Sequence, residues 1–215
     1  MITGELRAGT ARRDQVSRRY LVCKRAFDLG VCIWLLPVVG VIMLLVALAI
    51  RLDSPGPVLI AQERTGRDGR RFRMFKFRTM VQNAEELKAG LQHLNILPPP
   101  DFKIPNDPRI TRAGRVLRQT SLDELPQLLN VLRGDMSLVG PRPTSFEPRT
   151  YSLWHTRRLE VAPGITGLWQ VKGRNLTTFD ERLRLDIEYI EHQSFWFDLK
   201  ILLQTVPAVF RRSGE

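Results

Sequence analysis

The chain has 215 residues, of which 43% are hydrophobic, enough for one compact domain with a core and a short appendage. Its formal net charge of +11 indicates an anionic partner, such as a nucleic acid, a membrane surface or a phosphorylated substrate. The two cysteines, Cys23 and Cys32, exclude a disulfide framework and a cysteine-based metal site, and they fit a reducing, cytosol-facing environment.

Positive charge is concentrated on both sides of one apolar segment. Residues 1–25 carry seven basic and two acidic side chains, and residues 51–80 carry eight and three, so each flank has a net charge of +5. An anionic membrane leaflet attracts each nearby basic residue by about 1 kcal/mol. A surface that binds nucleic acid has no reason to lie on both sides of an apolar segment. The pattern therefore favours a membrane partner over a nucleic acid.

The apolar segment spans residues 26–50 and contains one charged residue, Asp28. As a helix rising about 1.5 Å per residue, it would cover a hydrocarbon core about 30 Å thick. On length alone it predicts a straight helix that crosses the membrane. We also expect Asp28 to form a local ion pair with Lys24 or Arg25.

Pro37 points to a different insertion. A proline near the middle of a helix kinks or breaks it. The positive-inside rule also places both basic flanks on the cytoplasmic side. A re-entrant hairpin bent at Pro37 satisfies both features, whereas a straight crossing satisfies neither.

A β-hairpin is predicted after the apolar segment. A turn over residues 53–57 leads into a short strand that ends at Gly66. A second turn over 67–70 leads into another strand over 71–80, and residues 81–93 are predicted to be helical.

The rest of the domain is predicted to be mostly helical. The basic segment 109–118 has a helical pattern and runs into residues 121–135, where leucines share one helical face and Gly134 is a suitable stop. Residues 168–171 are predicted as a short strand and residues 179–192 as a helix. The last segment mixes aromatic, aliphatic and basic residues, which suits a membrane interface.

Two adjacent acids, Asp123 and Glu124, are the main candidates for chemistry. Ser121 and Glu124 match the S-x-x-E pattern of a helix capping box, which would make the acids structural. Pro126 argues against this, because a proline is tolerated only in the first turn of a helix. A later helix start would place both carboxylates on the preceding turn, where they could hold Mg²⁺ while one acts as a nucleophile. The residues alone leave both interpretations open.

An anion that attacks a phosphate needs cations to neutralise the developing charge. Among the candidates, Arg142 has a local reason to be rigid, since it stands between Pro141 and Pro143. The candidate cations are Arg64, Lys76, Arg78, Arg118, Arg142 and Arg174.

Several motifs, in this order, resemble the bacterial sugar transferase family, the monotopic phosphoglycosyl transferases. The resemblance is carried by KRAFDLG, KFRTM, SLDELPQLLNVLRGDMSLVGPRP, PGITGLWQVKGRN and the late LDIEYI and FDLKIL, from about residue 24 to the end. Larger relatives carry extra N-terminal transmembrane helices, so the resemblance is to the short form of the family.

The resemblance implies a mostly helical α/β domain with a small β-hairpin or sheet, on a re-entrant membrane helix bent at Pro37. Residues 1–22 would form a basic segment, 23–51 the membrane helix, and 52–215 a cytosol-facing catalytic domain with interfacial helices. The family has Ser-Pro at the bend, and here Leu36 precedes the proline. The active site would lie at the cytoplasmic face of the bacterial inner membrane.

The implied activity moves a sugar 1-phosphate from a UDP-sugar to a polyprenyl phosphate, through a covalent aspartyl intermediate and with release of UMP. The family's catalytic dyad falls on Asp123 as the nucleophile and Glu124 as the Mg²⁺ ligand. The predicted substrate-binding residues are Lys76, Arg78, Arg118, Arg142, Gln170, Arg174 and Asp186, all but Arg78 at matching motif positions.

A second hypothesis is a non-enzymatic, membrane-anchored binder of anionic lipid or nucleic acid. The basic flanks support it, but it gives the two acids no role. The sequence identifies neither the sugar nor whether copies of the chain associate as a homo-oligomer.

Overall fold

A computed structural model describes residues 17–96, 102–147, 153–172 and 178–210. The described part is mostly helical and contains two small sheets, as the sequence predicts. The helices are α1 (Arg18–Asp53), α2 (Ala84–Gly90), α3 (Arg112–Thr120), α4 (Gln127–Arg133), α5 (Leu168–Lys172), α6 (Phe179–His192) and α7 (Phe195–Phe210). The strands are β1 (Leu59–Thr65), β2 (Arg71–Phe77), β3 (Ser137–Val139) and β4 (Gly164–Thr166), and the 3₁₀ segments are Arg67–Gly69, Gln92–Leu94, Leu122–Glu124 and Leu153–Glu160.

Helix α1 continues through Pro37 without interruption. Its 36 residues give a length of about 54 Å. In the described part of the chain, it is the helix whose length and composition would allow it to cross a membrane. Its central apolar side chains face outward, with Trp34 78% and Leu44 73% exposed. The structure does not show the predicted bend, and re-entrant insertion stays a prediction.

A carboxylate that accepts three hydrogen bonds attaches the N-terminal part of α1 to the domain. Asp198 of α7 accepts hydrogen bonds from Tyr20 (2.9 Å) and Lys24 (2.8 Å) on one oxygen and from Tyr189 (2.7 Å) on the other. We call these four residues the α1 anchor. They join α1, α6 and α7 through groups that lie 9 to 178 positions apart in sequence.

The predicted local ion pair of Asp28 is wrong. Lys24 pairs with Asp198, and Arg25 donates to the carbonyls of Val131 and Leu132 at the end of α4. Asp28 instead accepts a 2.7 Å hydrogen bond from the hydroxyl of Ser137 in β3. Lys24, Arg25 and Asp28 all face the domain, where each binds a partner distant in sequence.

The C-terminal part of α1 packs on the same domain. Val46 and Ile50 are buried in an apolar cluster with Phe77 of β2 and Leu117 of α3. The Asp53 carboxylate accepts a hydrogen bond from the first turn of α3. Both ends of the long apolar helix are therefore attached to one domain.

The predicted hairpin is confirmed. Strands β1 and β2 pair antiparallel, from Leu59 opposite Phe77 to Thr65 opposite Arg71. The fully buried Asn130 of α4 accepts a hydrogen bond from the N–H of Phe75 and donates to the carbonyl of Arg73. This side chain fixes β2 against α4.

The second sheet pairs β3 with β4 in parallel. The two backbones approach so closely that a Cβ on Gly164 would lie 2.1 Å from the nitrogen of Gly140. Only glycine allows this contact, so the sheet depends on both residues. The strand predicted at residues 168–171 is wrong, because those residues form α5 and the strand lies just before them. A short apolar run does not distinguish a strand from one helical turn.

Candidate active site

The two acids lie on a short turn between helices. Helix α3 ends at Thr120, and Ser121 adopts a left-handed backbone conformation (φ 58°) that breaks the helical path. Asp123 and Glu124 follow in a 3₁₀ turn, and α4 begins only after Pro126. Within the described residues, the Ser121 side chain makes no capping hydrogen bond. The capping-box interpretation is therefore wrong, and the later helix start is confirmed.

Two basic side chains hold Glu124. The Nζ of Lys76 in β2 lies 2.9 Å from one carboxylate oxygen, and the Arg142 guanidinium donates to both oxygens. Burial alone would raise the pKa of Glu124, but Arg142 and Lys76 outweigh it and hold this pKa well below its usual range. Glu124 in turn raises the pKa of Arg142. Glu124 is thus a charged and immobilised carboxylate.

Asp123 is also largely buried, but it is loosely held. Its residue surface is 8% exposed, and its closest ionic contact in the described chain is the Lys76 Nζ, 3.6 Å from Oδ2. Burial raises the pKa of Asp123 in spite of Lys76, and the negative charge of Glu124 adds to the increase. A carboxylate that is poorly solvated and not pinned by hydrogen bonds is available to act as a nucleophile.

Apolar side chains connect the same turn to α1. Leu122 and Leu125, on either side of the two acids, pack against the cluster that contains Val46 and Ile50. The turn that carries the acids therefore shares one apolar cluster with the C-terminal part of α1.

A basic cavity is lined by Lys76 and Arg142, the two cations that contact Glu124. Its volume is about 370 Å³ and it includes Trp169 among its aromatic lining residues. The basic residues that line it are Arg64, Lys76, Lys88, Arg142, Arg158 and Arg182. Three predicted cations, Arg64, Lys76 and Arg142, thus converge on one space. Anionic substrates such as a diphosphate fit this charge.

Arg78, Arg118 and Gln170, which are also predicted to bind substrate, are not among the residues that line this cavity. Arg118 donates from Nε to Thr79 and lies close enough to Asp123 to act on its charge. The Arg78 guanidinium donates to the carbonyls of Ser54 and Pro55 in the turn after α1. Gln170 donates to the carbonyl of Ile165. Arg174 lies outside the described residues.

Asp186 lies on α6 and contacts Arg158, which lines the cavity. It is 1% exposed, and burial raises its pKa to about 6, although Arg158 opposes the shift. Its Oδ2 lies 2.7 Å from the Nη2 of Arg158, a residue that sequence reasoning missed. The adjacent Arg157 is chemically identical to Arg158. No sequence pattern therefore shows that Arg158 is the one that faces inward.

The donors at the turn fit Mg²⁺ in kind. This ion typically takes one or two carboxylates and completes its shell with water and substrate phosphate oxygens. Asp123 and Glu124 supply two carboxylates, and no third acidic, histidine or cysteine residue joins them in the described part of the chain. Both Glu124 oxygens already contact Arg142 or Lys76, so metal binding would require one of these cations to shift to another anion.

Comparisons with known proteins cover nearly the whole chain. A family model described as bacterial sugar transferase matches residues 19–212. The chain is 46% identical to the galactosyl transferase CpsE of Streptococcus agalactiae serotype III, over 91% of this chain and 44% of that protein. It is 45% identical to the undecaprenyl-phosphate galactose phosphotransferase of Salmonella typhimurium, over 92% of this chain and 42% of the relative.

A third relative is close to this chain in length. The uncharacterized sugar transferase EpsL of Bacillus subtilis is 42% identical, over 90% of each protein. The chain thus spans less than half the length of the first two relatives and nine-tenths of the third.

Proposed function

Because this chain belongs to the bacterial sugar transferase family, we propose that it transfers a sugar 1-phosphate from a UDP-sugar to undecaprenyl phosphate, releasing UMP and starting the assembly of a polysaccharide or glycoconjugate. The family resemblance of the motifs is confirmed by the match over residues 19–212. One relative is named for galactose phosphotransfer to undecaprenyl phosphate, which supports the same lipid class here.

The position of Asp123 between two surfaces supports this reaction. Its flanking leucines pack against the cluster that includes α1. Lys76 and Arg142, which surround the dyad, line the basic cavity. A lipid phosphate approaching along the apolar helix and a nucleotide sugar in the cavity would meet at this carboxylate. The non-enzymatic alternative leaves this arrangement without a use.

The proposed chemistry has two displacements at one phosphorus atom. A carboxylate oxygen of Asp123 forms a bond to the sugar-linked phosphorus, and the bond from that phosphorus to UMP breaks with the electron pair leaving on UMP. An oxygen of the lipid phosphate then attacks the same phosphorus, and the Asp123 carboxylate leaves. Lys76 and Arg142 stabilise the negative charge in both steps. Mg²⁺, held by Glu124 and Asp123, would supply further charge neutralisation on the diphosphate.

We further propose that α1 enters the bacterial inner membrane from the cytoplasm and returns to the same side. The support is the attachment of both its ends to one domain. Cysteines placed at Arg19 and at Arg70, in a variant without Cys23 and Cys32, should both be labelled only from the cytoplasmic side. Periplasmic labelling of either position would rule out this topology.

The covalent intermediate provides the main test. With a UDP-sugar and no lipid acceptor, the protein should gain the mass of one sugar phosphate, release one equivalent of UMP, and carry the added group on the peptide that contains Asp123. Addition of undecaprenyl phosphate should remove it. A protein that turns over fully but never becomes loaded would contradict the two-step mechanism.

A further inference from the structure

Arg158 connects helix α6 to the loop that carries Arg142. It is 6% exposed, and its Nη2 lies 2.7 Å from Oδ2 of Asp186 and donates at 2.6 Å to the main-chain carbonyl of Arg142. The contact is thus made to the backbone of residue 142, while the side chain of that residue binds Glu124. The buried guanidinium of Arg158 therefore holds the main chain of the residue whose side chain binds Glu124.

The partner of Arg158 lies on a well-anchored element. Helix α6 begins with a complete capping box, in which Thr178 and Glu181 satisfy each other's backbone N–H groups. Leu183 and Ile190, on the same helix as Asp186, are buried. Asp186 therefore offers Arg158 a fixed anion.

The proposed reaction requires Arg142 to change partner. Its guanidinium now donates to both oxygens of Glu124, and it lines the cavity that would receive a diphosphate. A phosphate that enters must draw this guanidinium away from Glu124, which also frees Glu124 for a metal ion. The exchange is fast and accurate only if the main chain at residue 142 stays in place while the side chain rotates.

We propose that Arg158 is a positioning residue for this reaction, which, fixed by Asp186, holds the Arg142 backbone while the Arg142 side chain passes from Glu124 to a substrate phosphate. The proposal rests on the proposed function. Pro141 and Pro143 limit the dihedral angles of the loop, but they do not fix its distance from the dyad. The hydrogen bond from Arg158 fixes the distance between this loop and the dyad.

The adjacent arginine is a matched control. Arg157 pairs at 3.0 Å with Glu191, which also belongs to α6, but both side chains of this pair are 33% exposed. Exposed pairs contribute little to stability. Arg157→Gln therefore removes a guanidinium from the neighbouring position. It breaks an ion pair to the same helix, α6, and leaves the contact with residue 142 intact.

The test measures single-turnover loading and UDP affinity in two backgrounds. In the wild-type background, Arg158→Gln should slow loading roughly 100-fold, the size of effect expected from a misplacement of about 1 Å. In an Arg142→Lys background, the side chain at position 142 can no longer bind both oxygens of Glu124 at once. There Arg158→Gln should slow loading less than about tenfold, because Arg158 acts through Arg142. The dissociation constant of UDP should follow the same pattern. Arg157→Gln should change neither quantity more than about threefold.

A second variant separates positioning from stability. Arg158→Gln removes the charge that opposes the raised pKa of Asp186, so the buried carboxyl loses its partner and the protein should be less stable. Arg158→Gln combined with Asp186→Asn removes both charges, so the melting temperature should recover while loading stays slow. Recovery of loading in this double variant, or equal losses in both Arg142 backgrounds, would overturn the positioning role. A wild-type protein that binds UDP but never loads would instead contradict the proposed function, and the UDP affinities would still report on Arg158.

Discussion

Two aspartates of this protein are similarly buried but differ in how their oxygens are satisfied. Asp198 of the α1 anchor is 4% exposed and accepts hydrogen bonds from two tyrosines and a lysine. Asp123 is 8% exposed, and its closest ionic contact in the described chain is 3.6 Å away. Burial of a charge without partners is costly, so a fold retains such a group at the expense of stability. The difference supports a structural role for Asp198 and the proposed role of Asp123 as a nucleophile.

Asp123→Asn should produce the largest effect. The substitution preserves shape and removes the anionic nucleophile, so loading and turnover should fall by roughly 10⁴-fold or more. Because the charge of Asp123 is poorly satisfied, the melting temperature should stay equal or rise. Activity would be followed by UMP release and stability by tryptophan fluorescence. If the Asp123→Asn protein were active but less stable than the wild type, Asp123 would have a structural role like that of Asp198.

Glu124→Gln should have the next largest effect. It keeps the size of the side chain but removes the charge that holds Lys76 and Arg142, so activity should fall roughly 100-fold. The Mg²⁺ concentration for half-maximal activity should rise. Glu63→Gln is the control, since Glu63 has a 71% exposed side chain and a salt bridge to Arg71. Unchanged activity with a lower melting temperature would assign Glu124 a structural role instead.

Asp198→Asn should affect stability much more than chemistry. The charge lost from the anchor leaves Lys24 without its anion, and we expect a loss of about 2 kcal/mol, or a melting temperature lower by roughly 4–8 °C. Loading per folded molecule should remain within about threefold of the wild type. Glu188→Gln, which removes the exposed partner of Lys172, should have a far smaller effect on melting. If Asp198→Asn melts like the wild type, the anchor is not stabilising.

The smallest predicted effect is a pH dependence of opposite sign at the two adjacent acids. The raised pKa of Asp123 means that its ionisation costs stability as pH rises, whereas the lowered pKa of Glu124 means that its stabilising contribution is lost as pH falls. Asp123→Asn should therefore raise the melting temperature more at pH 7 than at pH 4, and Glu124→Gln should lower it more at pH 7 than at pH 4. The shifts should be roughly 1–3 °C. Shifts of the same sign would contradict the assigned environments.

The sequence identified the features that depend on local chemistry. Pro126 predicted that the helix begins after the dyad, and Gly134 predicted where it ends; both agree with α4. The turn residues predicted the hairpin of β1 and β2. The prolines on both sides of Arg142 predict a rigid backbone there, and the Arg142 side chain binds Glu124.

Partners distant in sequence could not be predicted in this way. Asp198 lies 174 positions from Lys24, and Arg158 differs from Arg157 only in the direction that the fold gives it. Asp28 was assigned to its sequence neighbours for the same reason. Such contacts depend on how α1, α6 and α7 pack, and no local pattern encodes that packing.

The attachment of α1 at both ends has a consequence for how the enzyme would meet its lipid. With α1 inserted as proposed, the domain cannot tilt or rise freely, so the height of Asp123 relative to the bilayer is set by the helix. Undecaprenyl phosphate is confined to the membrane and keeps its own phosphate near the headgroup level. Enzyme and lipid would then search for each other in a plane, and an encounter would need only lateral diffusion and rotation about the membrane normal.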